Sequence, residues 1–388
     1  MESQKKQAIE YLAKDKIAPL LKWPGGKTSE LKVILPNLPA TIDRYFEPFW
    51  GGGAVYFALS EKIPSIVNDK SDSLIDFYNC VSRGDSEFFL MLDSIQLTWR
   101  DLELFVSSNQ KQLIQIYLEY ARKQTTKSKL EGLVDSFIAS SFDEITDLFQ
   151  TEYYYDLDNI FREMKRNLIS KIDRMSKIER RRGDLSKSDI VYNFEGTIKS
   201  SFYMHLRHLY NYPEKYSIQS SRQSAIFYFI REYAYAAMFR FNRQGKFNVP
   251  YGGIGYNRKD MSKKITRLRS QEVQRKLKNT KIECMDFLSF FEMHPPQEDD
   301  FVFLDPPYDS DFSDYDRNAF SLDDQARLAS FLVNQCKANF MLVIKATEYI
   351  LSLYERHGLN IKPFDKKYNW TIKERNDRDT THLMIKNY

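Results

Sequence analysis

"RYFEPFWGGGAVYFALSEKIPSIVND", residues 44–69, decides the fold. Its opening "RYFEPFW" is a short, mostly apolar run that suits a buried strand. Gly51, Gly52 and Gly53 follow, where the backbone can turn tightly or admit a ligand at close range. "AVYFALSE" then reads as a helix, and "SIVND" as a second strand ending on Asp69. Strand, glycine turn, helix, strand and terminal acid, in that order, open a Rossmann-like α/β sheet. In such a sheet the acid, here 16 residues after Gly53, can take the two hydroxyls of a ribose. Each signal has a plainer reading: a tight connection for the glycines, an acid at a helix N-terminus for Asp69.

Working outward, "SLIDFYNCV" is a second helix, and the alternation then stops. Residues 90–230 are mostly helical by pattern and rich in Lys, Arg and Tyr, as in "KSKLEGLVDSF" and "KIERRRGDLSKSD". Near Lys281 the α/β rhythm returns. "KIECMDF" and "FVFLDPPY" read as strands, and "SLDDQARLASFLVNQC" as a helix with Ser321 as N-cap. "NFMLVIKA" is a strand, "TEYILSLYERHG" a helix closing on Gly358, and "THLMIKNY" a final strand. The pattern predicts one parallel-type sheet interrupted by a mainly helical insert. Residues 17–89 form the first part of the sheet domain, 90–239 the insert and 240–388 the second part.

Bulk properties narrow the function. At 388 residues the chain exceeds one small core. A net charge of +4 is compatible with nucleic acid without requiring it. Three distant cysteines, Cys80, Cys284 and Cys336, suggest neither a disulfide framework nor a zinc cluster. His205 and His208 can share a helix face, but a lone pair at that spacing is a structural feature more often than a metal site. No metal is expected. "MESQKKQAIEYLAKDK" lacks an apolar signal core, and no apolar run would span a bilayer, so a cytoplasmic protein away from membranes is the expectation.

"FVFLDPPYD" carries the chemistry. Pro306 and Pro307 stiffen the chain at the carboxyl end of a strand, where open α/β sheets place ligands. The turn offers the Asp305 carboxylate, the Pro306 carbonyl and the Tyr308 ring. That set suits a planar amino-bearing base. An adenine amino nitrogen is a poor nucleophile because its lone pair is delocalised into the ring. Two acceptors on its two hydrogens draw it toward tetrahedral geometry, and Tyr308 can stack on the ring. Asp286 and Phe287 in "ECMDF" could hold an adenine edge and face, or form an ordinary turn. "KWPGGKTSEL", residues 22–31, raises a rival. Gly26-Lys27-Thr28 looks like the end of a phosphate-binding loop, but Leu21 stands where that loop needs its first glycine.

Taken together, these stretches resemble the Dam-type DNA adenine-N6 methyltransferases. "LLKWPGGKTSEL" is similar to that family's N-terminal motif and "YFEPFWGGGAVYFAL" to its S-adenosylmethionine motif. "IVNDKSDSLIDFYN" resembles the acidic strand that follows, "FVFLDPPY" the catalytic motif, and "RNDRDTTHLMIKNY" the C-terminal end. "RFNRQGKFNVPYGG" resembles the segment that returns from the target-recognition domain. The resemblance implies an S-adenosylmethionine methyltransferase sheet with an inserted target-recognition domain, acting on a flipped adenine in double-stranded DNA. It implies a catalytic set of Asp305, Pro306, Pro307 and Tyr308. The cofactor set is Trp23, Lys27, Glu47, Phe49, Gly51, Gly53, Asp69, Asp286, Phe287 and Asp305, with Lys27 on the methionine carboxylate. Arg240, Asn242, Asn248 and Tyr251 would meet DNA. A role beside a restriction endonuclease is compatible with this, as is a solitary or phage role. Where many relatives carry Ser-Asn after the fifth strand, this chain has Lys345-Ala346, to which no role is assigned. Other readings are a methyltransferase for RNA or a protein amide, a P-loop NTPase, and a DNA-binding module without catalysis.

Overall fold

The computed structural model describes residue 12 and residues 17–122, 125–149, 151–307, 320–367 and 379–388. Two compact units emerge. One comprises the described parts of Met1–Gly84, Arg243–Gly245 and Arg267–Tyr388, the other those of Asp85–Asn242 and Lys246–Thr266.

The first unit is built on a seven-stranded sheet. Its strands are β1 (Tyr45–Glu47), β2 (Ser65–Asn68), β3 (Thr280–Glu283), β4 (Phe301–Leu304), β5 (Asn339–Lys345), β6 (Asn360–Lys367) and β7 (Asp379–Lys386). They lie in the order β3-β2-β1-β4-β5-β7-β6. The first five are parallel. Every residue of β1, β2 and β4 is buried, as parallel strands covered on both faces require. Phe46, Val302, Leu304 and Leu342 pack on one face against Phe287, Phe290, Phe291, Leu328 and Leu332. The last two belong to the helix Leu322–Asn334, which Ser321 starts with a reciprocal capping box to Asp324.

Within this parallel-type sheet one strand differs in direction from both of its neighbours. β7 runs antiparallel between β5 and β6. "NIKPFDKK", which the sequence pattern leaves unassigned, is β6, and it forms an edge of the sheet. Pro363 within it cannot donate to a ladder, and an edge position tolerates that.

The second unit is helical. Its longer helices are Ser86–Ser108, Gln110–Arg122, Lys127–Ser140, Leu157–Arg182, Lys187–Asn211 and Ser220–Tyr233. It begins five residues earlier than the sequence pattern places it. Gly84, at φ 62°, ends the helix Asp72–Arg83, and the Asp85 side chain accepts from the Phe88 N–H to cap the next. It also ends later, near residue 266 rather than 239. The reason is a set of bonds from the helix Lys187–Asn211 to "FNVPYGG". Asn211 brackets Phe247, donating to its carbonyl at 2.9 Å and accepting from its N–H at 2.8 Å. Tyr203 and Arg207 both donate to the Val249 carbonyl, at 3.0 and 3.1 Å.

Much of the high aromatic content is core. Trp99 is 2% exposed and its ring meets those of Phe202, Phe229, Tyr233 and Tyr251. Its indole N–H donates to the Lys259 carbonyl at 3.2 Å. Replacing Trp99 with Ala removes the ring that joins the returning segment to the helices. We expect a loss of about 3–5 kcal/mol of stability, read as an earlier urea transition followed by circular dichroism.

Candidate active site

The strand order places a ligand crevice. From β1 the chain steps outward to β2 and β3, and from β4 it steps the other way to β5. The reversal falls between β1 and β4, which pair Tyr45 with Phe301 and Phe46 with Val302. At such a point the loops after the two strands diverge and leave a cleft at their carboxyl ends. The described parts of those loops that lie next to the strands are residues 48–53 and residues 305–307.

Asp305 is the first residue past β4. Lys27 donates to its Oδ1 at 2.5 Å and to the Gly25 carbonyl at 3.0 Å. The Lys27 side chain is 3% exposed and that of Asp305 18%. Lys27, which the resemblance puts on a cofactor carboxylate, is paired with Asp305 in this structure. The phosphate-loop rival loses its footing here. The helix after "GGKTS" is a single turn, Leu31–Ile34, and the lysine ammonium is engaged by Asp305. Pro306 is buried and Pro307 exposed. Gln325, which no sequence motif marks, donates to the Pro307 carbonyl at 3.0 Å. Tyr308 lies outside the described residues.

The glycine turn is clamped from two sides. Gly51 and Gly53 take φ values of 49° and 63°. A Cβ on Gly51 would stand 2.8 Å from Trp23 Cδ1, and one on Gly53 would stand 2.5 Å from Trp50 Nε1. Trp23 thus lies against one side of the turn, and Trp50 backs the other. Trp50 stacks on Tyr78 at 3.7 Å, and the Tyr78 hydroxyl donates to the Gly51 carbonyl at 3.2 Å. Asp69 completes the turn: its Oδ2 accepts from the Gly51 N–H at 2.9 Å and its Oδ1 from the Ser71 N–H at 3.0 Å. Both carboxylate oxygens thus sit at the carboxyl end of β2, against the glycine turn. Trp50 and Tyr78 escaped the sequence reading because an aromatic residue beside a glycine turn looks like any core residue.

Glu47 ends β1 and is 3% exposed, with the Tyr45 hydroxyl donating to it at 2.8 Å. Burial holds its carboxyl well above the usual carboxylate range. The Tyr45 bond works against that rise, and the charge of Asp305 adds to it. Asn68, at the end of β2, bonds the Pro48 carbonyl and both backbone groups of Met285, tying the loops after β1 and β3 together. Asp286 caps its own helix at the Leu288 N–H and pairs with Arg327 at 3.1 Å. Phe287 is 4% exposed, and its ring meets those of Phe49 and Phe320. Trp23, Lys27, Glu47, Phe49, the glycines, Asp69, Asp286, Phe287 and Asp305 all belong to the sheet unit.

The residues expected at DNA belong to the helical unit. Arg240 and Asn242 are exposed on a small hairpin in which Phe241 bridges Phe247. Arg240 donates to the Asn248 side chain at 3.1 Å, and Asn242 exchanges two bonds with Lys246. Tyr251 does not fit a DNA surface. It is 7% exposed, its ring meets those of Trp99 and Tyr203, and its hydroxyl donates to Asn257. His205 is fully buried between Asn159 and the Tyr154 carbonyl, and burial pushes its pKa down to about 3. A neutral imidazole with both nitrogens bonded is a structural residue. Among the described residues no group of three His, Cys, Asp or Glu could hold a metal ion.

Comparison with known proteins points the same way. The chain is 26% identical to the Type II methyltransferase M.CviBI of Paramecium bursaria Chlorella virus NC1A, over 95% of this chain and 99% of that protein. It is 27% identical to the Type II methyltransferase M.MjaIII of Methanocaldococcus jannaschii, over 96% and 99%. The retron Ec67 DNA adenine methylase of Escherichia coli matches at 30% over 42% of this chain and 54% of its own length. The family profile described as D12 class N6 adenine-specific DNA methyltransferase matches residues 23–211 and 184–370. With a match over most of its length, the chain belongs to the D12 class of N6 adenine-specific DNA methyltransferases.

Proposed function

We propose that the chain methylates an adenine amino nitrogen at a defined site in duplex DNA, using S-adenosylmethionine, with residues 305–307 as the catalytic turn. The observation that carries this reading is the place of Asp305: first past β4, at the reversal of the sheet, with the Lys27 ammonium 2.5 Å from one oxygen. Asp305 and the Pro306 carbonyl accept the two amino hydrogens and so localise the nitrogen lone pair. Because that nitrogen is out of reach inside a duplex, the base must be flipped into the crevice.

The crevice fits S-adenosylmethionine in the chemistry of its groups. Asp69 offers a carboxylate to the hydroxyls of a ribose, Trp23 and Phe49 offer aromatic faces to a purine or a cation, and Lys27 offers an ammonium to a carboxylate. When bound, the cofactor supplies a methyl group on a positively charged sulfur. The chain's own part is positioning and fixed charge, which need no metal and no covalent enzyme intermediate.

The helical unit is the target-recognition domain on this reading, with Arg240, Asn242 and Asn248 on its exposed hairpin. Arg180, Arg181 and Arg182, exposed at the end of the helix Leu157–Arg182, would supply phosphate contacts on this reading. The Type II names of two relatives that match over nearly their whole length support a role beside a restriction endonuclease. No helix among the described residues is long and apolar enough to cross a membrane, which accords with a cytoplasmic enzyme.

Three outcomes test this. Asp305→Ala is expected to lower the methyl-transfer rate about a hundredfold or more while circular dichroism stays unchanged; near-parental turnover would remove the mechanism. Lys27→Ala takes the partner from Asp305 as well as an ammonium from the cofactor. It should lower both cofactor affinity, measured by calorimetry, and transfer rate by about tenfold or more, the scale of a charge-assisted bond. Replacing Arg180, Arg181 and Arg182 together with Ala should flatten the dependence of log affinity on log salt, by about 0.9 for each phosphate no longer neutralised. Titrations at several salt concentrations check this, and an unchanged slope would take the run off the DNA surface.

A further inference from the structure

The turn that carries Asp305 is gripped by a residue outside the motifs. Gln325 sits one turn into the helix Leu322–Asn334, and its side chain is wholly buried. Nε2 donates to the Pro307 carbonyl at 3.0 Å. Oε1 is buried and has no hydrogen-bond partner among the described residues. Burying a polar amide is a costly way to fill space unless its hydrogen bond is needed. Methionine or leucine would occupy the same volume in this core without burying a polar amide. Packing therefore does not account for glutamine at this position, whereas the bond to Pro307 does.

That bond acts on one of the two ψ angles the prolines leave open. Their rings fix φ at residues 306 and 307, but ψ stays open. The Pro307 carbonyl belongs to the peptide plane leading out of the turn, so holding it sets ψ at Pro307. With φ fixed at both prolines, anchoring the Pro307 carbonyl to the helix also narrows the positions open to the Pro306 carbonyl and to Asp305. We propose that Gln325 is a positioning residue for methyl transfer: its amide locks the Pro307 carbonyl and thereby fixes how Asp305 and the Pro306 carbonyl face the target amino group. This rests on residues 305–307 being the catalytic turn.

The test measures single-turnover transfer from tritiated S-adenosylmethionine to DNA from a methylation-deficient host, with cofactor binding by calorimetry and the thermal midpoint alongside. Gln325→Met should melt no lower than the parent and bind the cofactor with unchanged affinity. Its transfer should be about 10- to 100-fold slower, the scale of a small misplacement of reacting groups. Gln325→Glu supplies an internal rescue. Only its protonated acid can donate to the Pro307 carbonyl, and burial favours that form. Its rate relative to the parent should therefore rise as pH falls. Parental rates in Gln325→Met would overturn the proposal. So would rates in both variants that merely follow their thermal midpoints. If Gln325→Met does not fold, a parental pH profile in Gln325→Glu overturns it instead. Asp305→Ala separates the two levels. Full activity there removes the catalytic reading itself, whereas an inactive Asp305→Ala beside a fully active Gln325→Met removes only the role of Gln325.

Discussion

Lys27 and Asp305 stand 278 residues apart in sequence and 2.5 Å apart in space. The architecture of the sheet unit turns on that pair. An acid at the strand end lies close enough to the buried Glu47 for the two charges to raise one another's cost. A cation on the Asp305 oxygen offsets this, and removing one partner of such a largely buried pair costs about 3–5 kcal/mol. The N-terminal segment must therefore reach the carboxyl end of β4. Trp23, four residues before Lys27, then falls on the glycine turn after β1.

The same geometry explains why the turn needs glycine at two positions and tryptophan near both. Two residues with positive φ bend the chain so that Gly51 offers its N–H to Asp69 and its carbonyl to Tyr78. The bend leaves no room for a Cβ beneath Trp23 or above Trp50. The turn is thus rigid without being occupied by its own side chains. That is what close approach of a ligand to the backbone requires. Asn68 extends the rigidity to the loop after β3, so three strand ends around the crevice are linked through buried bonds.

The helical unit solves a different problem. Its long helices carry dense surface charge, so cohesion must come from a narrow interior. That interior is aromatic, built around Trp99, and reinforced by Lys199, which is buried against Glu195 at 2.7 Å and lies over the Trp99 ring. The returning "FNVPYGG" segment is stitched onto one helix by side chains that bond its backbone. This leaves the preceding hairpin, with Arg240 and Asn242, displayed on a firm base. Tyr251 serves that base.

Local signals were legible in the sequence because their physics is local. A triple glycine between a short apolar run and a helix can only turn. A serine followed three residues later by an acid caps a helix, as Ser321 and Asp324 do. An apolar run ending in Asp-Pro-Pro fixes a strand end and a stiff turn. These placed Gly51, Asp69 and Asp305 at the carboxyl ends of strands and implied the α/β class. What the tertiary structure alone decided were choices of partner across long separations. Lys27 and Tyr251 could each have served a ligand or the protein, and their types do not say which; packing set Lys27 beside Asp305 and put Tyr251 in the core of the helical unit. β7 took an antiparallel place between β5 and β6 through backbone ladders, and residues 246–266 joined the helices, where side chains far away in sequence bond their backbone. Gln325 carries no local signal at all, since a glutamine one turn into a helix is ordinary until the fold sets it beneath the Pro307 carbonyl.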